Sequence, residues 1–305
     1  MTPLAPGGVT GDAGRGPEGG SRVARTPYPT VLRRYAGLAA TVGSAVAAGA
    51  RIADPPVLRR HACAVLDALG IALDAAGAGP LRVPGTARGT LIVANHVSWL
   101  DVIAVLAVEP VPLLAKREVA EWAVVGPLTR RTGTRFIDRE ALRELPRVVG
   151  ELAEYLGGGG SVMVFPQATT WCTAPGGPFR RATFQAALDA GAPVRPVAID
   201  FTRNRRPSTV PAYVGGDTLT ASLRRVTGAD GLAVRVRSCP PLWPHGHDRR
   251  SLAAAAQAAV SGAVGRPAAV AGHAPARCGT DVPWISAARS RPAEGSASAG
   301  PGRPG

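Results

Sequence analysis

Lysine is almost missing from this chain: only Lys116 occurs, so 35 − 1 = 34 of the basic residues are arginines. Such a bias reflects coding preference as much as function, so the net charge of +14 is weighed with that in mind. Aromatic residues are scarce, at 5%. There is no aromatic RNA-binding signature and no Cys/His finger spacing, so nucleic acid is not an expected partner. The four cysteines, Cys63, Cys172, Cys239 and Cys278, are scattered. No pair has metal-ligand spacing and nothing in their positions suggests a disulfide framework. A reduced, cytosolic environment is the expectation. No stretch combines a charged lead, an apolar core and a cleavage site, as a secretory signal would. No apolar run is long and rich enough in Leu, Ile and Phe for a transmembrane helix.

What is present suffices for one sizeable domain with appendages. The chain has 305 residues and a hydrophobic fraction of 46%, enough for a real core. Its basic balance favours anionic partners, of which lipid headgroups fit better than nucleic acid. Residues 1–28 and 266–305 are rich in Gly, Pro, Ala, Ser and Arg without periodicity and are expected to be disordered. Residues 29–70 are expected to be helical. Within them, 35–50 is an Ala/Gly-rich stretch flanked by Arg33, Arg34 and Arg51. It fits a helix lying in a membrane interface and equally a soluble helix packed on the domain. The periodicity of Val57, Val65, Leu66 and Leu69 predicts a second helix, with Gly70 to close it.

From 71 to 265, strand-like and helix-like stretches alternate, which predicts an α/β domain with a mixed sheet flanked by helices. Strands are expected at 71–73, 81–83, 90–94, 111–115, 135–137, 161–165 and 194–201, with weaker candidates at 212–214 and 232–236. Helices are expected at 102–108, 118–132, 139–156, 180–190, 219–227 and 251–264.

Chemistry-bearing residues cluster where strands end. Asn95-His96-Val97-Ser98-Trp99-Leu100-Asp101 follows the apolar run 90–94 and leads into a helix. A His oriented by a carboxylate is a general base with a fixed tautomer. Nothing nearby resembles a nucleophile, so such a base would activate a substrate hydroxyl directly. Taken alone, the pair reads first as a turn residue and a helix-start carboxylate, with Ser98 as a helix cap. Arg139 follows a short strand and opens a helix, an arrangement suited to an anion. Lys116 is a second candidate cation, with a surface lysine as its default. Phe165-Pro166-Gln167-Ala168-Thr169-Thr170-Trp171 ends another strand. This turn could clamp a polar substrate or equally satisfy itself. Pro193 and Pro196 place the strand at 194–201 at a sheet edge or limit the prolines to its start. The glycines at 157–160 are no phosphate loop, since they lead into a strand and no Lys-Ser or Lys-Thr follows. His245-Gly246-His247-Asp248 lacks a further ligand, so no metal is expected.

Taken in order, these stretches resemble the glycerolipid acyltransferases of the 1-acylglycerol-3-phosphate acyltransferase type. Asn95, His96, Ser98 and Asp101 match the family's first block. Lys116, Trp122, Gly133, Phe136, Ile137, Asp138 and Arg139 match the second. Phe165, Pro166 and Thr169 match the third, where Gln167 and Ala168 replace Glu and Gly. Pro193, Val194, Pro196 and Val197 match the fourth. The resemblance covers about residues 89–201. It implies an O-acyltransferase of phospholipid biosynthesis, with His96 as base and Asp101 as its orienting carboxylate. The substrate site it implies takes in Asn95, Ser98, Lys116, Arg139, Phe165, Pro166, Gln167, Ala168 and Thr169. It also implies a lysolipid acceptor, most simply lysophosphatidic acid, held through its phosphate by Arg139. The donor would be acyl-CoA or acyl-carrier protein, used as a co-substrate with no bound cofactor. A lipid acceptor implies work at the cytoplasmic face of the cell membrane, with the helices before residue 70 as the anchor. Two alternatives follow: a phosphate-free lysolipid acceptor, or a catalytically impaired membrane-binding homologue owing to Gln167 and Ala168. In the family's place for Gly, an Ala would strain a turn that needs positive φ.

Overall fold

The computed structural model describes residues 26–265, other than 77, 122–124 and 138–143. Two helices come first, α1 (Tyr28–Ala47) and α2 (Pro55–Leu69), joined by a short 3-10 turn. Then follow β1 (Ala72–Asp74), β2 (Leu91–Ala94), α3 (Leu100–Val108), β3 (Leu114–Lys116), α4 (Val125–Arg131), β4 (Arg135–Ile137) and α5 (Leu145–Gly157). The chain continues through β5 (Val162–Val164), α6 (Ala182–Ala190), β6 (Val194–Arg203), β7 (Arg206–Pro207), α7 (Leu219–Thr227), β8 (Leu232–Ser238) and α8 (Arg249–Ala263).

The main sheet runs β1-β8-β6-β2-β5, with β7 paired to β6. Strands β5, β2 and β6 are parallel, β8 is antiparallel to β6, and β1 is parallel to β8. A separate parallel pair joins β3 and β4. The sheet is therefore mixed, with helices on both faces. Strand β2 shows why. Leu91, Ile92, Val93 and Ala94 are all fully buried, and a strand covered on both faces must be apolar at every position. Ile92 and Ala94 join Leu66, Leu69, Leu100, Ala104 and Val236 in one core. Leu91 and Val93 join Leu152, Leu156, Phe184 and Leu252 in the other.

Several expectations meet corrections. Residues 81–83 form no strand. Pro80 and Pro84 flank them, and side chains satisfy their main chain: Leu81 N–H donates to Glu109 (2.6 Å) and Val83 N–H to Thr90 Oγ1 (2.9 Å). Residues 212–214 are likewise irregular, because Arg225 takes the carbonyls of Val210 and Ala212 that a ladder would use. Of the two readings for Pro193 and Pro196, the structure gives the start and not the edge: Pro193 immediately precedes β6 and Pro196 falls near its beginning, and β6 is a central strand. Pro196 is tolerated because it faces the side where β8 has already ended. The β8 ladder begins at Val197 opposite Ser238, and Pro196 contributes only its carbonyl, to Cys239 N–H (2.8 Å). The first part of the helix expected at 139–156 lies outside the described residues, and α5 is described from Leu145.

Helix α1 packs one side on the domain and leaves part of its other side exposed. Arg34 is buried and donates to Thr227 O (2.7 Å), Ala229 O (2.8 Å) and Asp230 (2.8 Å), which caps the end of α7 and pins α1 to the domain. Tyr28, Leu32 and Val46 point outward and are exposed. Among the described residues no helix is long and apolar enough to cross a membrane.

Candidate active site

Strands β2 and β5 are parallel neighbours, so the turns that follow them emerge side by side. Polar side chains there are exposed at one end yet held by a buried scaffold. The β2 turn carries His96. Its Nδ1 lies 2.8 Å from Asp101 Oδ2. A carboxylate can only accept, so Nδ1 carries the proton and Nε2 is left with its lone pair. The His96 side chain retains 20% of its exposure and that of Asp101 none.

Asp101 does more than orient the ring. The same Oδ2 accepts Val97 N–H (2.6 Å) and Ser98 N–H (2.9 Å). One buried oxygen thus folds the turn and fixes the imidazole. Asp101 also sits in the first turn of α3, where the helix dipole favours a negative charge. The N-cap position expected of Ser98 is taken by Trp99, which makes no side-chain cap bond. Ser98 Oγ accepts Leu100 N–H at only 3.3 Å, and the residue is fully buried.

The β5 turn supports the base from beside it. The Phe165 ring stacks on His96 at 4.1 Å between centroids and 19° between planes. Gln167 Oε1 accepts His96 N–H (2.6 Å), and Trp171 N–H donates to His96 O (2.8 Å). The ring, N–H and carbonyl of His96 are therefore all held by residues 165–171. Gln167 Nε2 donates to Pro175 O (2.6 Å) and Gly177 O (2.9 Å). Thr170 Oγ1 donates to Tyr213 O, and Tyr213 N–H to Val97 O (3.0 Å). A second loop, around 210–217, thereby closes on the same turn. Arg225 anchors that loop through Val210 O, Ala212 O and Asp217 (2.6 Å). The hydrogen bond from Arg225 holds the Asp217 carboxyl below its usual pKa.

The residues expected at the substrate site divide. His96, Asp101, Phe165, Pro166, Gln167, Ala168 and Thr169 come together, with Thr169 exposed and Pro166 buried. The Asn95 side chain turns inward. It donates to Ile199 O (2.7 Å) and accepts Ile199 N–H (2.9 Å), fully buried. It continues the β2–β6 ladder by side chain after the backbone has turned away, and holds the strand instead of facing a substrate. Gln167 likewise satisfies protein groups on all three of its bonds. Ala168 adopts φ 62, the left-handed conformation that is strained for a residue with a Cβ. The Lys116 side chain and all of Arg139 lie outside the described residues. The backbone register of β3 and β4 sets Lys116 opposite Ile137, two positions before Arg139. The candidate metal ligands at 245–248 form a helix start: Asp248 caps α8 in a reciprocal box with Ser251, and His247 Nδ1 lies 3.1 Å from Ser251 Oγ.

Sequence reasoning placed Trp171 at the end of the polar turn without giving it a role, and missed Gly176, Gly177 and Tyr213. The available signal was the crowding of a tryptophan and two glycines after a polar turn.

A model of the Acyltransferase family matches residues 80–200. The 1-acyl-sn-glycerol-3-phosphate acyltransferase of Neisseria meningitidis is 38% identical over 177 residues, which are 56% of this chain and 66% of that protein. The lyso-ornithine lipid O-acyltransferase of Pseudomonas aeruginosa is 35% identical over 182 residues, 59% of this chain and 70% of that protein. The crystal structure of the 1-acyl-sn-glycerophosphate acyltransferase PlsC from Thermotoga maritima has a similar fold, with a TM-score of 0.55 and 21% identity over 76% of this chain and 92% of that one.

Proposed function

Because the chain belongs to the Acyltransferase family, we propose that it transfers a fatty acyl group from acyl-CoA or acyl-carrier protein to the free hydroxyl of a lysolipid, lysophosphatidic acid foremost. The observation that carries this reading is the His96–Asp101 pair at 2.8 Å, with Nε2 free of any protein hydrogen bond among the described residues. His96 Nε2 takes the proton of the acceptor hydroxyl as its oxygen attacks the thioester carbonyl. The imidazolium formed is stabilised by the buried Asp101 carboxylate. The C–S bond breaks, and the leaving thiolate recovers the proton from His96. No acyl-enzyme is formed, and no bound cofactor takes part.

In this reading Arg139 and Lys116 hold the acceptor phosphate. The enzyme works peripherally at the cytoplasmic membrane face, with Tyr28, Leu32 and Val46 of α1 against the lipid and Arg33 and Arg51 at its headgroups. A phosphate-free acceptor is the second reading, favoured by the similarity to a protein named lyso-ornithine lipid O-acyltransferase. The intact hydrogen bonding around His96 and Gln167 supports a working enzyme over an impaired homologue.

The test is incubation of the purified chain with labelled acyl donors and a panel of lysolipids. Acylated lysophosphatidic acid, with an acceptor KM raised strongly in Arg139→Ala, supports the first reading. Acylated lyso-ornithine lipid, with Arg139→Ala nearly unaffected, supports the second. No acylated product from any donor and acceptor refutes both.

A further inference from the structure

Gln167 stands where the family resemblance calls for Glu, and its surroundings explain the amide. The residue is only 4% exposed. On one side it meets a donor, His96 N–H (2.6 Å); on the other it meets two acceptors, Pro175 O (2.6 Å) and Gly177 O (2.9 Å). Only a group with one acceptor and two donors satisfies all three, and a primary amide is that group. An ionised carboxylate would turn an oxygen toward two carbonyl oxygens in a buried place. A protonated one would offer a single donor for two acceptors.

The segment so held is built for the purpose. Trp171 N–H bonds to His96 O, and the Trp171 indole lies across Gly176 and Gly177. A Cβ on Gly176 would overlap Gln167 Nε2 and the indole, and the residue has φ 78. Gln167, Trp171 and the two glycines thus form one knot that joins residues 171–177 to both ends of the His96 peptide.

We infer that Gln167 is a positioning residue: its amide clamps residues 171–177 onto the main chain of His96, and in this chain the amide, not a carboxylate, is what the reaction requires. This rests on the acyl-transfer reading of the site. The clamp itself is a structural statement that needs no turnover to measure.

The experiment compares wild type, Gln167→Glu and Gly176→Ala, with hydrogen exchange of residues 168–177 as one readout and the pH profile of acyl transfer as the other. In Gln167→Glu burial and the facing carbonyls disfavour the ionised form of the introduced carboxyl, so its pKa is raised and it ionises only toward the alkaline end of the profile. At about pH 8 we expect this variant to exchange faster over 168–177 and to lose about tenfold or more in kcat through misplacement of the base. The ratio of its kcat to wild type recovers as pH falls toward about 6, because the protonated acid regains one donor. A purely structural loss would leave that ratio flat, which overturns the positioning role. Gly176→Ala breaks the knot from the other side and is expected to reproduce the faster exchange with no pH recovery. Wild-type exchange rates in Gln167→Glu, or a kcat equal to or above wild type at every pH, would overturn the inference. If Gln167→Glu fails to fold, an unprotected Trp171 amide in wild type would overturn it just as directly. If wild type forms no acylated product, the function fails, and the exchange data alone decide the clamp.

Discussion

Replacing Asp101 by Asn separates the charge at the site from its shape. Asn keeps an oxygen for the three N–H groups that Asp101 Oδ2 accepts, from His96, Val97 and Ser98. It removes the negative charge facing the imidazolium that exists only during transfer. With an effective dielectric of about 20 and charges about 4 Å apart, that interaction amounts to about 4 kcal/mol. Allowing for partial compensation by neighbouring dipoles, about 2–4 kcal/mol is lost from the transition state, or about 30- to 1000-fold in kcat. The acceptor KM changes little, since the ground state holds a neutral ring. Stability also falls, because three charge-assisted bonds become neutral ones, at a cost of about 1.5–3 kcal/mol in total. The assay is steady-state acyl transfer at 25 °C beside a thermal melt. A variant with a lowered Tm and a kcat within about threefold of wild type would refute the electrostatic role. Asp101→Ala is a poorer probe, since it leaves two buried main-chain N–H groups without acceptors and tests folding first.

Three further outcomes follow from the geometry. Ala168→Gly relieves the left-handed backbone at φ 62 and should stabilise the fold by about 1 kcal/mol, a rise of about 2–4 °C in Tm; an unchanged or lower Tm contradicts the strain. Asn95→Ala leaves Ile199 N–H and O unpaired in the core and should cost about 2–4 kcal/mol with an unaltered acceptor KM; a raised KM at unchanged Tm would return Asn95 to the substrate site. Asp217 has a folded pKa depressed by Arg225, so its stabilisation is present above the unfolded value of about 4 and is lost as pH falls through the folded one. Asp217→Asn should therefore lower Tm at pH 7 and converge with wild type in acid; a gap of constant size across pH would refute the linkage.

Much of this architecture is legible in the chain because burial writes itself plainly. Strands β2, β5 and β6 are buried on both faces and read as apolar runs. The helices around them show their apolar stripes. His96 and Phe165 are legible as strand-end residues, since a strand end is visible where an apolar run meets polar residues. The rest is hidden for definite reasons. The antiparallel β8 between β1 and β6 depends on long-range pairing that no local pattern records. Pro193 and Pro196 leave edge and strand start open, and only the fold reveals that the neighbouring strand ends one residue short of Pro196. Asn95 reads as a site residue because an exposed polar turn and a buried side-chain ladder bond begin with the same amino acid. Gln167 reads as a defect against a family pattern, while the three groups it satisfies lie at 96, 175 and 177, far apart or unremarkable in sequence.

The most direct test of the central claim is acyl transfer by wild type and His96→Ala, side by side, with the same labelled donor, lysolipid panel and protein concentration. The account predicts acylated lysolipid from wild type, and a loss of about 10²-fold or more in kcat for a folded His96→Ala, in line with removal of a general base. Equal product from both proteins would contradict it.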